Sequence, residues 1–214
     1  MENGTMVKRR GLMLVLSSPS GTGKTTLSRR LVAEDDDLSL SVSCTTRSPR
    51  VGEGDGEHYH FISKDEFREI RAKDGFLEWA EVHDNYYGSP KEPIMKALES
   101  GRDIIFDIDW QGAQQLEKNA PKDVVSVFIL PPSMNELRRR LTDRAQDSLE
   151  TIKKRMNNAY GEIARAETYD YILVNDDLDA TYEKLKDIIK AERLSRYRQP
   201  WVHSFVQQLL SEDT

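Results

Sequence analysis

The sequence predicts an α/β fold, a parallel sheet covered by helices on both faces, and three observations carry that expectation. Apolar runs with β-branched residues recur along the chain. Stretches with helical spacing separate most of them. The first run, "LMLVL", leads straight into a glycine-rich turn and a helix, "SSPSGTGKTTLSRRL". Strands that are apolar without alternation are buried on both faces, and strands that alternate with helices are parallel.

In chain order the strands are expected at 12–16, 38–43 ("LSLSVS"), 103–108 ("DIIFDI"), 124–130 ("VVSVFIL") and 171–175 ("YILVN"). The first helix follows the glycines as "KTTLSRRLVAE". Later helices carry start signals: Ser63 with Glu66, Ser133 with Glu136, and Asp147 with Glu150 have the spacing of a capping box, in which two side chains satisfy orphan amides reciprocally. Pro131 and Pro132 fix one boundary. "LDATYEKLKDIIKAERLSRY" reads as a long amphipathic helix, and "QPWVHSFVQQLL" as a short one that packs on the core or on a partner subunit.

Two segments break the rhythm. Residues 43–92 are rich in Gly, Tyr and charge, and their alternating runs "EHYHFI" and "FLEWAEV" read as antiparallel strands of a small inserted sheet. Residues 134–155 read as helical and carry Arg138, Arg139, Arg140, Arg144, Lys153, Lys154 and Arg155. The remaining pieces, 1–42, 93–133 and 156–214, make up the core.

Composition narrows the function. The chain has 32% charged and 37% hydrophobic residues, the balance of a soluble protein, and no run approaches the roughly 18 apolar residues of a membrane span. A net charge of -6 argues against coating nucleic acid. No secretion signal is legible, and the single cysteine, Cys44, reads as a small core residue; both point to a reducing compartment, the cytoplasm. Yet arginines are bunched in "TTRSPR", "LRRRLTDR" and "RLSRYR". Such bunching suits a local anionic ligand, or a solvated helix face.

The glycine-rich turn resolves part of that choice. "GTGKTT" departs from the P-loop pattern G-x-x-x-x-G-K-[ST] only at Ser18, which stands where the first glycine belongs. The strand before it and the helix after it are the context the motif requires. In that frame Ser18, Pro19, Ser20, Gly21, Thr22 and Gly23 bring backbone amides to phosphate, Lys24 reaches the outer phosphates, Thr25 offers magnesium a hydroxyl, and Thr26 completes the first turn. Ser18 is tolerable with a negative φ, because Gly21 and Gly23 are the positions of close approach. A distant strand should end in an acid near the magnesium, and "DIIFDID" supplies Asp107 and Asp109; a helix N-cap is the other use for such an aspartate.

An acceptor would be held by 43–92. Arg47 and Arg50, three apart, with the hydroxyls of Tyr59 and Tyr87, make a clamp for a dianion unless they are unrelated surface groups. Glu78, between apolar neighbours in "FLEWAEV", suits two parallel hydrogen bonds from a planar N–H/NH2 edge, which among bases is guanine's; otherwise it is a solvated strand residue. His58 and His60 lack the partners of a tetrahedral metal site.

The ordered set "SSPSGTGKTTL", "SCTTRSPR", "GEGDGEHYHF", "FLEWAEV", "NYYGSP", "DIDWQGAQQL", "RRRLTDRAQDSLETIKKRM" and "YILVNDDLDATYEKL" closely resembles guanylate kinases, from about Gly11 to Glu192. That resemblance implies a P-loop NTPase-type core, a small mixed GMP-binding insertion at 43–92 and a helical lid at 134–155. It implies transfer of the γ-phosphoryl group of ATP to GMP with Mg2+. It places Ser43, Glu78, Ser89 and Asp109 at the guanine, and Arg47, Arg50, Tyr59 and Tyr87 at the GMP phosphate. Lys24, Arg140, Arg144 and Arg155 surround the phosphoryl group in flight, Asn175 lies by adenine, and Thr25 with Asp107, the latter through water, attends the metal. Besides Ser18, the chain departs from the pattern at Ala145 and Cys44. A peptide-binding relative without a working P-loop, or a phosphosugar kinase with no use for Glu78, would be the alternatives.

Overall fold

The computed structural model describes residues 8–143 and 148–212. Five parallel strands form the main sheet: β1 (Met13–Ser17), β2 (Leu38–Leu40), β7 (Asp103–Phe106), β8 (Val124–Leu130) and β9 (Tyr171–Val174), in the spatial order β2-β7-β1-β8-β9. β1 is central, and its register pairs Met13 with both Ile104 and Val124. Successive side chains of a strand alternate faces. Leu12, Leu14 and Leu16 therefore pack with α1 (Lys24–Glu34) and α7 (Leu178–Leu194) through Leu27, Leu31, Tyr182 and Leu185. Met13 and Val15 pack on the opposite face with α3 (Lys91–Glu99) and α4 (Trp110–Asn119). Both faces of the strand are covered, which is why its sequence is apolar throughout.

The inserted sheet has the order β4-β3-β6-β5, from β3 (Cys44–Thr45), β4 (His60–Phe61), β5 (Phe76–Val82) and β6 (Asn85–Pro90). Its core is Cys44, Phe67 and Phe76, with Phe67 of α2 (Lys64–Ala72) stacked on Phe76 at 4.4 Å. β5 and β6 are antiparallel as expected. In "EHYHFI" only His60 and Phe61 join the sheet, and they run parallel to β3, a correction to the antiparallel expectation. The rest of that run is a turn held by its own groups, with Asp55 accepting from Phe61 N at 2.9 Å and His58 Nδ1 accepting from Gly54 N at 3.2 Å. β5 is moored to the core by α4: the Gln115 amide accepts from Trp79 N and donates to Trp79 O at 3.1 and 3.0 Å, and Asn119 donates to Leu77 O at 2.7 Å.

Other boundaries shift for local reasons. β2 and β7 stop at Leu40 and Phe106, short of the expected ends. Ser63 and Ser133 accept from the Glu66 and Glu136 amides at the expected positions. α6 (Leu149–Ile163), however, is capped by Ser148, which accepts from Thr151 N, and not by Asp147. Asp147 itself, like Arg144 and Ala145, lies outside the described residues. α8 (Val202–Ser211) forms as expected but buries none of its residues in the core, leaving Phe205, Leu209 and Leu210 exposed. Among the described residues no helix is long and apolar enough to cross a membrane.

An ion-pair network, invisible in the sequence, closes the edge of the sheet where its strands begin. Asp103 is fully buried; it takes two bonds from Arg9 at 2.6 and 3.0 Å, one from Leu12 N at 2.9 Å, and one from Arg193 Nε at 2.8 Å. Arg10 grips Asp123 with a similar fork. These bonds tie the N-terminal residues, β7, β8 and α7 together. Removing Asp103 takes away the buried acceptor that Arg9, Arg193 and Leu12 N share and leaves only the outlying Asp37 and Asp35 as counter-charge, which costs about 3 kcal/mol, the low end for a broken buried pair. Asp103→Ala should therefore lower the urea midpoint by a corresponding amount with an unchanged slope, and a midpoint within error of wild type would refute this role for the network.

Candidate functional site

The loop after β1 is built to leave amides unspent. Ser18 follows the strand and is not among the residues of positive φ, as the sequence required. Gly21 and Gly23 have φ of 96° and 94°, in the left-handed region that favours glycine. Gly23 precedes α1 with no side-chain cap, and the first turn contains no acid. The first amides of a helix need partners, and those left uncapped with a positive end field are an anion site. Ser18, Pro19, Ser20, Gly21, Gly23, Lys24, Thr25 and Thr26 line one cavity of about 320 Å³, with Asp107 and Glu162 on its far side. Thr22 is the exception in this stretch. Its side chain is buried, and its hydroxyl donates to Pro19 O at 2.8 Å, so it braces the loop from within.

Lys24 is ion-paired with Asp107, which has left the end of β7. Asp109, two residues on, caps α4 by accepting from Gln111 N and Gly112 N, both at 3.0 Å and both on Oδ1. The two uses foreseen for these aspartates are thus divided between them: one faces the cradle lysine, while the other starts a helix.

Asn175 lines a cavity beside the P-loop and is bonded to the loop itself. Its side chain is 3% exposed; Nδ2 donates to Thr22 O at 2.6 Å and Oδ1 accepts from Thr181 at 3.1 Å. The amide is spent on holding the P-loop, and a Cβ on Gly23 would stand 2.8 Å from it. Arg140 lies close to Asn175. It is not in the Lys24 cavity but lines an adjoining one of about 370 Å³ with Gly21, Thr26 and Asn175, because Glu136 accepts its Nε at 2.8 Å and Asn175 O its NH2 at 3.2 Å. Arg139 and Arg140 together hold the Glu136 carboxyl down at a pKa of about 2. Arg155 lies half-buried on α6, outside the lining of either cavity.

The acceptor-side residues form two groups. Ser89 donates to Glu78 at 2.6 Å and meets Ser43 at 3.3 Å, a relay of hydroxyls on the neighbouring ends of β5 and β6. Glu78 is 6% exposed, and burial raises its pKa; the Ser89 bond works against that, and the charge of Asp109 adds to it. A Cβ on Gly112 would stand 3.2 Å from Glu78 Oε2, so the start of α4 comes close only as glycine. In the second group Arg47 makes a fork to Glu53 at 2.7 and 2.9 Å, lies over the Tyr59 ring at 5.2 Å and stands near enough to Tyr87 to feel its hydroxyl. Arg50 contributes its backbone N–H to the same Glu53 at 2.8 Å. Arg47, first, and the Arg50 amide bring Glu53 down to about 2. Glu53 and Glu162 were not legible as site residues: each is one glutamate among many, and no spacing marks either.

The arrangement is an uncapped anion cradle with a lysine and a carboxylate, facing a buried carboxylate beside a forked arginine. The comparisons with known proteins agree with it. The guanylate kinase family matches residues 10–192. The chain is 56% identical over 205 residues to a guanylate kinase of Maricaulis maris, covering 96% of this chain and 94% of the relative. It is also 56% identical over 207 residues to one of Rhizobium meliloti, covering 97% and 94%. A crystal structure of guanylate kinase from Anaplasma phagocytophilum superposes with a TM-score of 0.73 at 35% identity, covering 95% of this chain and 97% of that one.

Glu78 gives a pH signature. Its folded pKa is raised above the unfolded value, so the folded state gives up stability as pH climbs from the ordinary carboxylate range through the raised value. Glu78→Gln removes that loss. Urea midpoints at pH 4 and pH 8 should show the variant gaining on wild type as pH rises; a difference independent of pH, or of opposite slope, would show that burial does not govern this carboxyl.

Proposed function

The chain belongs to the guanylate kinase family, and on that footing we propose that it transfers the γ-phosphoryl group of ATP to GMP, giving ADP and GDP, with dGMP as a second acceptor. The single observation that carries the reading is the buried Glu78 with its serine relay, standing opposite a P-loop whose amides are uncapped. A peptide-binding relative would have no need of the second, and a phosphosugar kinase none of the first.

Each group of residues then has a task. Glu78 accepts from the N–H/NH2 edge of guanine, with Ser43 and Ser89 fixing its rotamer and Asp109 adjoining from α4. Adenine presents no such pair of donors there and would leave a buried carboxylate unpaired. Arg47, held in shape by Glu53, grips the GMP phosphate with Arg50, Tyr59 and Tyr87. The loop amides and Lys24 hold the ATP phosphates, and Lys24 exchanges Asp107 for them. Asn175 serves the nucleotide through the loop it pins.

Magnesium fits the residues present. Thr25 stands exposed in the first turn of α1, sharing a cavity with Asp107, and hydroxyl, carboxylate and water are the oxygen donors this ion takes. Thr25 would hold it directly and Asp107 through water. When bound it neutralises charge between the β and γ phosphates. No protein nucleophile is needed, since transfer between two polyanions is limited by repulsion and positioning. Arg140, Arg144 and Arg155 supply the remaining positive charge from the segment 134–155, which acts as a lid over a core of 1–42, 93–133 and 156–214, with 43–92 closing from the GMP side. A late closure keeps water from taking the phosphoryl group. The enzyme works on small molecules in the cytoplasm, with neither nucleic acid nor membrane as partner, and the exposed face of α8 suits a homo-oligomer.

A coupled assay with GMP, dGMP, AMP, UMP and ribose 5-phosphate as acceptors should give rapid turnover only with the two guanine nucleotides; no turnover with GMP would overturn the proposal. Glu78→Gln should narrow the kcat/KM ratio of GMP to AMP by about 10²-fold, the scale set by an unpaired polar group in a recognition site. An unchanged ratio would show that guanine is read elsewhere. Lys24→Ala should lower kcat by about 10²–10³-fold, and a loss confined to KM would place the lysine in ground-state binding alone.

A further inference from the structure

A second cavity of about 190 Å³ opens behind the P-loop, between Lys24 and Asp107 on one side and the end of α6 on the other. Two buried hydroxyls line it without a hydrogen-bond partner among the described residues: Ser17 Oγ, 5% exposed, and Tyr169 OH, 9% exposed, which inclines towards Ser17 without closing a bond to it. Buried hydroxyls left unpaired cost about 1–3 kcal/mol each, so native structures satisfy them, and a polar chamber of this size does so with ordered water. Glu162 lines both this space and the cavity of Thr25, together with Ser18, Lys24 and Asp107, so the two spaces adjoin beside its side chain. That carboxylate makes no hydrogen bond among the described residues, although Lys24 is near enough to act on its charge. Arg165, packed over the Trp110 ring at 4.0 Å, joins the end of α6 to α4 beside this space.

We propose that Glu162 is an outer-sphere anchor for the magnesium of MgATP, a positioning residue that accepts hydrogen bonds from the metal's water ligands. The inference rests on the magnesium reading above. Magnesium dehydrates reluctantly and keeps several waters, binding through few protein groups. Waters on a dication are strong donors and need acceptors. On the side of the cradle facing α6 the acceptors are Asp107, already matched to Lys24, and Glu162, which has no other bond. Ser17 and Tyr169 continue the water chain behind it. Groups that orient ligands of a metal contribute about 10–100-fold to its affinity.

The test is manganese binding followed by electron paramagnetic resonance, with the full chain and the non-hydrolysable ATP analogue AMP-PNP. In Glu162→Gln the ion should bind the enzyme–nucleotide complex about tenfold more weakly, while AMP-PNP binding in EDTA stays unchanged. Turnover should recover its wild-type kcat at high Mg2+, with the half-saturating Mg2+ concentration raised by the same factor. Unchanged manganese affinity would overturn the proposal. So would an equal loss of metal-free and metal-loaded nucleotide, which would mean that Glu162 acts through Lys24 and not through the ion. If wild type itself held no manganese with the nucleotide, the magnesium reading would fall together with this one; a loss-free variant beside a competent wild type removes only Glu162.

Discussion

The Asn175 side chain donates to the carbonyl of Thr22, in the middle of the phosphate cradle, and the rest of the nucleotide site is placed by what converges on that bond. A loop whose amides must stay free for a ligand cannot be stabilised by pairing them within the fold, so it has to be held by its carbonyls. Thr22 O takes Asn175, and Pro19 O takes the Thr22 hydroxyl. Asn175 is in turn fixed by three elements: its N–H goes to Leu130 at the end of β8, its Oδ1 accepts from Thr181 of α7, and its carbonyl accepts from Arg140 of α5 (Met134–Asp143). The loop, two strand ends, α7 and α5 are thereby fastened at one buried amide. Gly23 is glycine for the same reason as for its φ, since a methyl group would collide with the amide that pins it.

A second constraint is charge. An enzyme that joins two polyanions needs several cations in one cleft, and each would repel the next while the cleft is open. This chain, acidic overall, pairs three cations at the cleft with carboxylates: Lys24 with Asp107, Arg47 with Glu53, and Arg140 with Glu136. Such pairs contribute little stability at a surface. Their effect is on geometry, because a forked carboxylate holds a guanidinium in one orientation and so reduces the entropy lost when phosphate arrives.

How far the sequence could be read follows from which interactions are local. β1, the P-loop and α1 were legible because strand period, glycine and helix start all act within a few residues. So were Ser43, Glu78 and Ser89 as a set, although only through their resemblance to a family. The bond by which Asn175 holds the P-loop was not legible because its partner lies 153 residues away. Ser148 was not singled out as a cap because its neighbour Asp147 has the capping-box spacing to Glu150. Arg9 and Arg10 carry no signal in the sequence, while in the fold they hold Asp103 and Asp123 across gaps that no periodicity reveals. Glu53 was passed over within "GEGDGE", since only the fold shows which of its acids meets Arg47.

α6 shows how one rigid element can serve two ends of a site. Ile152, Met156, Ala159 and Ile163 recur at intervals of three and four and face the packed side. Arg155 and Glu162 are seven apart, two turns and about 10 Å along the axis, on one other face of the helix. An uninterrupted helix between them, with Ser148 closing its start and Arg165 clamped on Trp110 beyond its end, cannot swing one without displacing the other. Arg155 and Glu162 are therefore held at a fixed separation along one element.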